Sequence, residues 1–294
     1  MVANNYQRIG VKPVAPALGA EITGVDLSQD LDQATFAEIH QAHLEFGVIV
    51  FRGQNLSPER QKRFSARFGS LMSHAIARFR HPEHPEVMVM TNLRDNANRS
   101  IGASRAGFEW HSDQSYKPVP ALGTFLFGIE CPPEGANTEF ASMYAAYEAL
   151  PESEQRELAN KQGVHDYAWA WDLFYKDRPP LTDAEKAALP PVRHALVRTH
   201  AETGRKALYL SEGMTRTIDG MSEEAGRARV QALNDFATQP RFVYSHQWQA
   251  GDLVFWDNRC LLHRATPSDP KYRRVMQRTM VKDDAAFAAQ AAVA

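Results

Sequence analysis

Cysteine is scarce in this chain: Cys131 and Cys260 are the only two in 294 residues, too few for a disulfide framework. Both read as small buried hydrophobes, and such usage suits a reducing cytoplasm. No apolar run approaches the roughly 20 residues that a membrane-spanning helix needs, and no short apolar stretch of the secretory kind follows Met1. Neither membrane insertion nor export is therefore expected. An excess of one charge is also missing. Thirty-three Lys and Arg against 35 Asp and Glu leave −2 at pH 7, which argues against nucleic acid or an anionic membrane as partner. The basic cluster Arg60 to Arg67 reads as a solvated helix face, and no internal repeat is present. With 44% hydrophobic and 23% charged residues the composition is that of an ordinary globular protein, and one domain spanning 1–294 is expected.

Periodicity and turn residues divide the chain into short elements. Strands are predicted at 22–25, Val48–Phe51, 87–90 and 122–129. Helices are predicted at Gln33–Phe46, closed by Gly47, and at 57–69, opened by Ser57-Pro58. Residues 143–150, 151–162 and 223–239 also read as helical. Segments 243–248 and 253–256 read as a hairpin across 249–252, with the last helix beside it. Residues 92–104 read as a polar loop and 285–294 as a frayed tail. The stretch 163–192 looks least regular, with Trp169, Trp171, Phe174 and Tyr175 interleaved with charges ahead of Pro179-Pro180. An active-site lid, a satellite core and the interface of a homo-oligomer all suit it. Many short strands, with helices grouped in the first half and in insertions, argue for an α+β fold.

The chemistry is concentrated in Trp110-His111-Ser112-Asp113. In extended backbone, residues i and i+2 point the same way, so His111 and Asp113 present an imidazole and a carboxylate to one point. The spacing alone is cheap: 11 His and 16 Asp in this length give about 0.6 chance occurrences of His-x-Asp. His-x-Glu recurs at His43/Glu45, His81/Glu83 and His84/Glu86, and ordinary turn or surface hydrogen bonding is the plain alternative. A third ligand is available at His263, beyond the apolar run Leu253 to Trp256 and its polar end Asp257-Asn258. Two His and one carboxylate on one face of Fe(II) leave three positions for a cosubstrate and O2; the same donors also suit Zn(II).

The basic segment beyond His263 bears on that choice. Tyr272 to Val281 alternates as a strand would, which places Arg274, Met276, Arg278 and Met280 on one face. Two guanidiniums there are costly in a plain core and sensible if each receives a carboxylate in its fork of donors. A half-exposed edge strand with solvated arginines is the competing reading.

At this point the chain resembles a known family, the iron(II)- and 2-oxoglutarate-dependent taurine and aryloxyalkanoate dioxygenases. The matching strings are WHSD at 110–113, NTEFASMYAAYEAL at 137–150, LVRTH at 196–200, GDLVFWDNRCLLHRA at 251–265 and YRRVMQRT at 272–279, with GAEITGVDLS at 19–28 and VIVFRGQ at 48–54. The resemblance implies a double-stranded β-helix, a jelly roll of cupin-like form, with His111, Asp113 and His263 as iron ligands. It implies that Arg274, eleven residues past His263, pairs with the distal carboxylate of 2-oxoglutarate with help from the Thr138 hydroxyl. It further implies that Arg278 faces the anionic group of the substrate and can also touch the cosubstrate. Two departures stand out. Gly135-Ala136 replaces a glycine pair before Asn137-Thr138, and where taurine-acting relatives carry an Asn this chain reads Arg105-Ala106-Gly107-Phe108-Glu109. The implied reaction is hydroxylation of a C–H bond of a small anionic substrate with O2 and 2-oxoglutarate, an aryloxyalkanoate by its closest likeness. Taurine or another alkylsulfonate is the alternative, and a non-catalytic cupin-like binding protein is the alternative outside enzymes.

Overall fold

Leu253 and Phe255 enter one hydrophobic cluster while Val254 and Trp256 enter another, so the strand Leu253–Asp257 is buried on both faces. This explains its unbroken apolar run. The computed structural model describes residues 6–73, 79–95, 107–176 and 179–284, and in it this strand is the centre of a seven-stranded sheet. The order is Gly10–Pro13, Ala20–Thr23, Val48–Phe51, Leu253–Asp257, Ala121–Glu130, Val275–Lys282, Met88–Thr91. Only the pairing of Ala20–Thr23 with Val48–Phe51 is parallel; the remaining neighbours in this sheet are antiparallel.

One face of that sheet is covered by helices. Ile39 and Ala42 of Gln33–Phe46 and Phe64 of Pro58–Ser65 pack with Phe51, Phe125, Phe255 and Val281. Asp32 caps the first helix through Thr35 N–H, and Gly47 ends it at φ 71°, where a side chain would be strained. The opposite face carries Leu126, Val254, Trp256 and Met276, and it packs against Phe140, Ala141 and Leu262 of a second, three-stranded sheet ordered Val243–His246, Thr138–Ser142, Leu261–Ala265. The result is an α+β fold with a mixed β core and flanking helices.

The expected hairpin does not form. Val243–His246 pairs with Thr138–Ser142 in the small sheet, while Leu253–Asp257 lies in the large one. The Asp252 carboxylate turns this corner: it accepts from Gln249 N–H and lies against His246 and Arg52, with Gly251 at φ 87°. Residues 163–192 are also more regular than expected, comprising the strand Gln162–His165 and the helices Tyr167–Phe174 and Asp183–Ala188. The helix Glu223–Ala237 packs on Thr215–Ile218, closely enough that a side chain at Gly226 would strike Thr217. The tail 285–294 and most of the 92–104 loop lie outside the described residues. Among the described residues, no helix is long and apolar enough to cross a membrane.

Candidate metal centre and cosubstrate pocket

His111 and His263 meet as a backbone pair: His111 N–H donates to His263 O at 3.0 Å and His263 N–H to His111 O at 2.8 Å. Paired this way, their imidazoles lie 4.2 Å apart, centroid to centroid. His111 sits on an isolated bridge and Asp113 in the turn that follows, so the extended geometry expected for the motif extends only to its histidine. Asp113 nevertheless reaches both rings, with Oδ1 3.9 Å from His111 Nε2 and Oδ2 3.6 Å from His263 Nε2. The three side chains offer ligand atoms that all lie within 4.8 Å of one another, and they are the one such His/Cys/Asp/Glu group among the described residues.

The protonation states suit a cation. His111 Nδ1 lies 2.8 Å from Glu109 O, which fixes its N–H there and leaves the Nε2 lone pair free. Burial and the neighbouring His111 push His263 down to about 3, so it is neutral at physiological pH. Burial by itself would raise Asp113, but Arg278, the two histidines and Thr124 outweigh it and hold the carboxyl below its usual range. Two imidazole nitrogens and one carboxylate fit the facial set of non-heme iron(II), and leave room for further ligands. Gly107 borders the cluster at φ 80°, and a Cβ there would come within 2.8 Å of His111 Cε1. Arg105 and Ala106 before it are outside the described residues.

Thr138, Arg274 and Arg278 open onto the same cavity as His111 and His263, which Met90, Leu126 and Trp256 also border. Burial lowers Arg274 from its ordinary value, and among the described residues no carboxylate is paired with its guanidinium. A desolvated cation of this kind fits an external carboxylate. Arg278 Nη1 lies 3.4 Å from Asp113 Oδ1 and Nη2 3.2 Å from Met88 Sδ, while its Nε is buried with no hydrogen-bond partner among the described residues. Thr138 Oγ1 accepts from Trp248 Nε1 at 3.0 Å, so its own O–H is free to donate into the cavity. Ala136, two residues earlier, does adopt a left-handed conformation, φ 52°, directly after Gly135 at φ 69°.

Several contributors were not legible in the motifs. Thr124, on its strand, and Asn258, in the turn just past the neighbouring strand, hold Asp113, and Trp248 orients Thr138; these are contacts between residues more than 100 positions apart, or across a turn, with no local signature. Tyr116, three residues past Asp113, packs on Tyr167 at 4.5 Å, and the rings continue through Trp171 to Tyr175 at i+4 spacing. Burial first, then Tyr167 and Asp113, raise the Tyr116 phenol, and Arg278 opposes them, so the charges of the centre reach this ring. Trp169 lies instead beneath Arg227, with Phe174 edge-on to it.

Residues 10–280 match the model of the taurine catabolism dioxygenase TauD, TfdA family. The chain belongs to that family. It is a 2-oxoglutarate-dependent non-heme iron dioxygenase acting on a small organic substrate. The chain is 36% identical to the alpha-ketoglutarate-dependent 2,4-dichlorophenoxyacetate dioxygenase of Cupriavidus pinatubonensis, over 93% of this chain and 97% of that one. It is 32% identical to the (S)-phenoxypropionate/alpha-ketoglutarate-dioxygenase of Sphingobium herbicidovorans, over 94% and 96%. The crystal structure of a taurine dioxygenase from Burkholderia xenovorans superposes with TM-score 0.79 at 31% identity, over 94% of this chain and 90% of that one. That of AAD-2 with Mn(II) and N-oxalylglycine does so with TM-score 0.78 at 33% identity, over 94% and 98%.

Proposed function

We propose that this dioxygenase hydroxylates an aryloxyalkanoate at the carbon bearing the ether oxygen, giving a hemiacetal that collapses to a phenol and an oxoacid. His111, Asp113 and His263 hold Fe(II), which with 2-oxoglutarate and O2 supplies the oxidising chemistry, succinate and CO2 being the coproducts. Arg274 takes the distal carboxylate of 2-oxoglutarate in its fork, and the free Thr138 proton donates to the same group. Arg278 orients the substrate carboxylate beside the metal and shares the cosubstrate's side of the cavity. Its Nε, buried without a hydrogen-bond partner among the described residues and in one cavity with His111, His263 and the Arg274 side chain, is the observation that carries this reading.

The aryl ring is assigned to the side of Tyr116 and Tyr167, where stacking would hold it. In this reading 163–192 acts as a lid on a single domain 1–294, and the two facing sheets are the walls of a double-stranded β-helix. The names of the dichlorophenoxyacetate and phenoxypropionate relatives support the aryloxy class. An alkylsulfonate or sulfate ester is the second reading, favoured by the taurine dioxygenase likeness and by an alkylsulfatase of Acinetobacter baylyi at 30% identity. A panel of aryloxyacetates, both enantiomers of aryloxypropionates, taurine and alkyl sulfates, scored for substrate-dependent succinate and for product, tests the assignment. Tightly coupled turnover of taurine with only background succinate from every aryloxyalkanoate would make the second reading the correct one.

A further inference from the structure

Asp113 is held, through its backbone N–H and its Oδ2, by a chain of hydrogen bonds that converges on one asparagine. Asn258 Oδ1 accepts from Asp113 N–H at 3.2 Å and from Trp256 Nε1 at 3.1 Å. Both of those partners can only donate, which fixes the amide orientation and turns Nδ2 the other way. There Nδ2 donates to Thr124 Oγ1 at 3.0 Å. Having received that proton, the Thr124 hydroxyl spends its own on Asp113 Oδ2, at 2.7 Å. The Asn258 backbone is tied down too: its carbonyl accepts from Ser112 Oγ at 2.7 Å and its N–H donates to Leu122 O at 2.8 Å. Asn258 and Thr124 are 1% and 0% exposed, so water does not compete with these bonds.

The strands explain why the two meet. Thr124 lies on the inward face of Ala121–Glu130, with Leu126 two residues along it, and pairs in register with Trp256. Asn258 follows immediately at the end of Leu253–Asp257, where the polar turn leads into the His263 strand. One asparagine therefore links the turn carrying Asp113, the strand carrying Thr124 and the segment leading to His263.

We propose that Asn258 and Thr124 are positioning residues for the metal centre, holding Asp113 Oδ2 on the Thr124 hydroxyl so that Oδ1, which faces Arg278 Nη1 at 3.4 Å and His111 Nε2 at 3.9 Å, is the oxygen presented to the ion. The inference rests on the iron reading above. Its chemical sense is economy of coordination: a carboxylate giving both oxygens would occupy a position that 2-oxoglutarate or O2 requires. A residue that merely stabilised the 256–260 corner would act on folding and leave metal affinity alone.

Thr124→Val keeps the shape of the side chain and deletes the donor; Thr124→Ser keeps the donor. Metal-stripped protein titrated anaerobically with Mn(II), with free Mn(II) followed by its electron paramagnetic resonance signal, should bind roughly 10–100-fold more weakly in Thr124→Val. Thr124→Ser should restore wild-type binding. If the valine protein does not fold, Thr124→Cys, a weak donor of similar size, replaces it and should also bind Mn(II) more weakly than the serine protein. Affinity equal to wild type in the valine or cysteine protein, even with a lowered apo melting temperature, overturns the assignment and leaves the iron reading standing. Wild-type protein that fails to bind Mn(II) overturns the iron reading itself, and this assignment with it.

Discussion

Trp248 Nε1 donates a 3.0 Å hydrogen bond to Thr138 Oγ1, and both residues are buried. An indole N–H cannot accept, so the bond keeps the threonine proton off Trp248 and leaves it available to the cavity that Thr138 lines with Arg274 and Arg278. Trp248→Phe keeps most of the ring and releases that constraint. A hydrogen bond of this kind is worth about 1 kcal/mol net, so the dissociation constant for 2-oxoglutarate should rise roughly fivefold. Anaerobic titration of the Fe(II) protein, read by the visible charge-transfer band, checks this. Thr138→Val should weaken binding at least as much, and adding Trp248→Phe to it should cost little more.

Arg274 should show opposite effects on the empty and the loaded protein. Its guanidinium is desolvated without a carboxylate beside it among the described residues, so Arg274→Met should raise the melting temperature of the protein without 2-oxoglutarate. The same change removes one partner of the buried pair formed on binding, a loss of about 3–5 kcal/mol. The 2-oxoglutarate requirement should rise at least a hundredfold with Fe(II) binding retained. An unchanged dissociation constant would remove Arg274 from this role.

Ala136 carries backbone strain that a glycine would not. Left-handed backbone costs an L-residue about 1–2 kcal/mol, and the greater freedom of glycine in the unfolded chain takes back about half. Ala136→Gly should therefore stabilise the protein by roughly 0.5–1 kcal/mol in urea denaturation. Affinity for 2-oxoglutarate should remain that of wild type, because Thr138 is held by Trp248 and by its pairing with His246 and Ala265.

Acid should weaken the fold before carboxylates titrate. Burial, followed by Arg198, lowers His194 to about 4 from an ordinary 6.5, while backbone carbonyls of Lys117 and Ser115 only partly oppose this. Between these values the unfolded chain binds a proton that the folded one refuses, so stability falls as pH drops from 6.5 toward 4. His194→Gln should flatten the pH dependence of the urea midpoint in that window; an unchanged slope would mean that His194 is not responsible.

The sequence was most readable where one local rule decides the outcome. Asp32 and Gly47 bound the helix Gln33–Phe46, and Ser57-Pro58 opens the next one. The metal triad was legible because a family motif spans it, and the geometry then brought the same three residues together. The hairpin across 249–252 failed because alternation specifies a strand without saying which sheet receives it; Asp252 and its partners send the two segments into different sheets. In 163–192 the aromatic composition masked ordinary capping signals. Thr182 and Glu185 form a capping box and Asp166 caps the helix Tyr167–Phe174. The i+4 spacing of Tyr167, Trp171 and Tyr175, visible only once that segment is read as helix, separates the rings nearest Tyr116 from Trp169 and Phe174.

The central claim is that substrate oxidation, 2-oxoglutarate decarboxylation and aryl ether cleavage are one coupled event at this site. The direct measurement is the phenol and succinate released per O2 consumed when wild-type protein with Fe(II) and 2-oxoglutarate is given an aryloxyacetate. The account predicts one phenol and one succinate for each O2, with neither formed without oxygen and neither formed by Asp113→Ala. Succinate at the substrate-free rate with no phenol, or phenol released without O2, would contradict it.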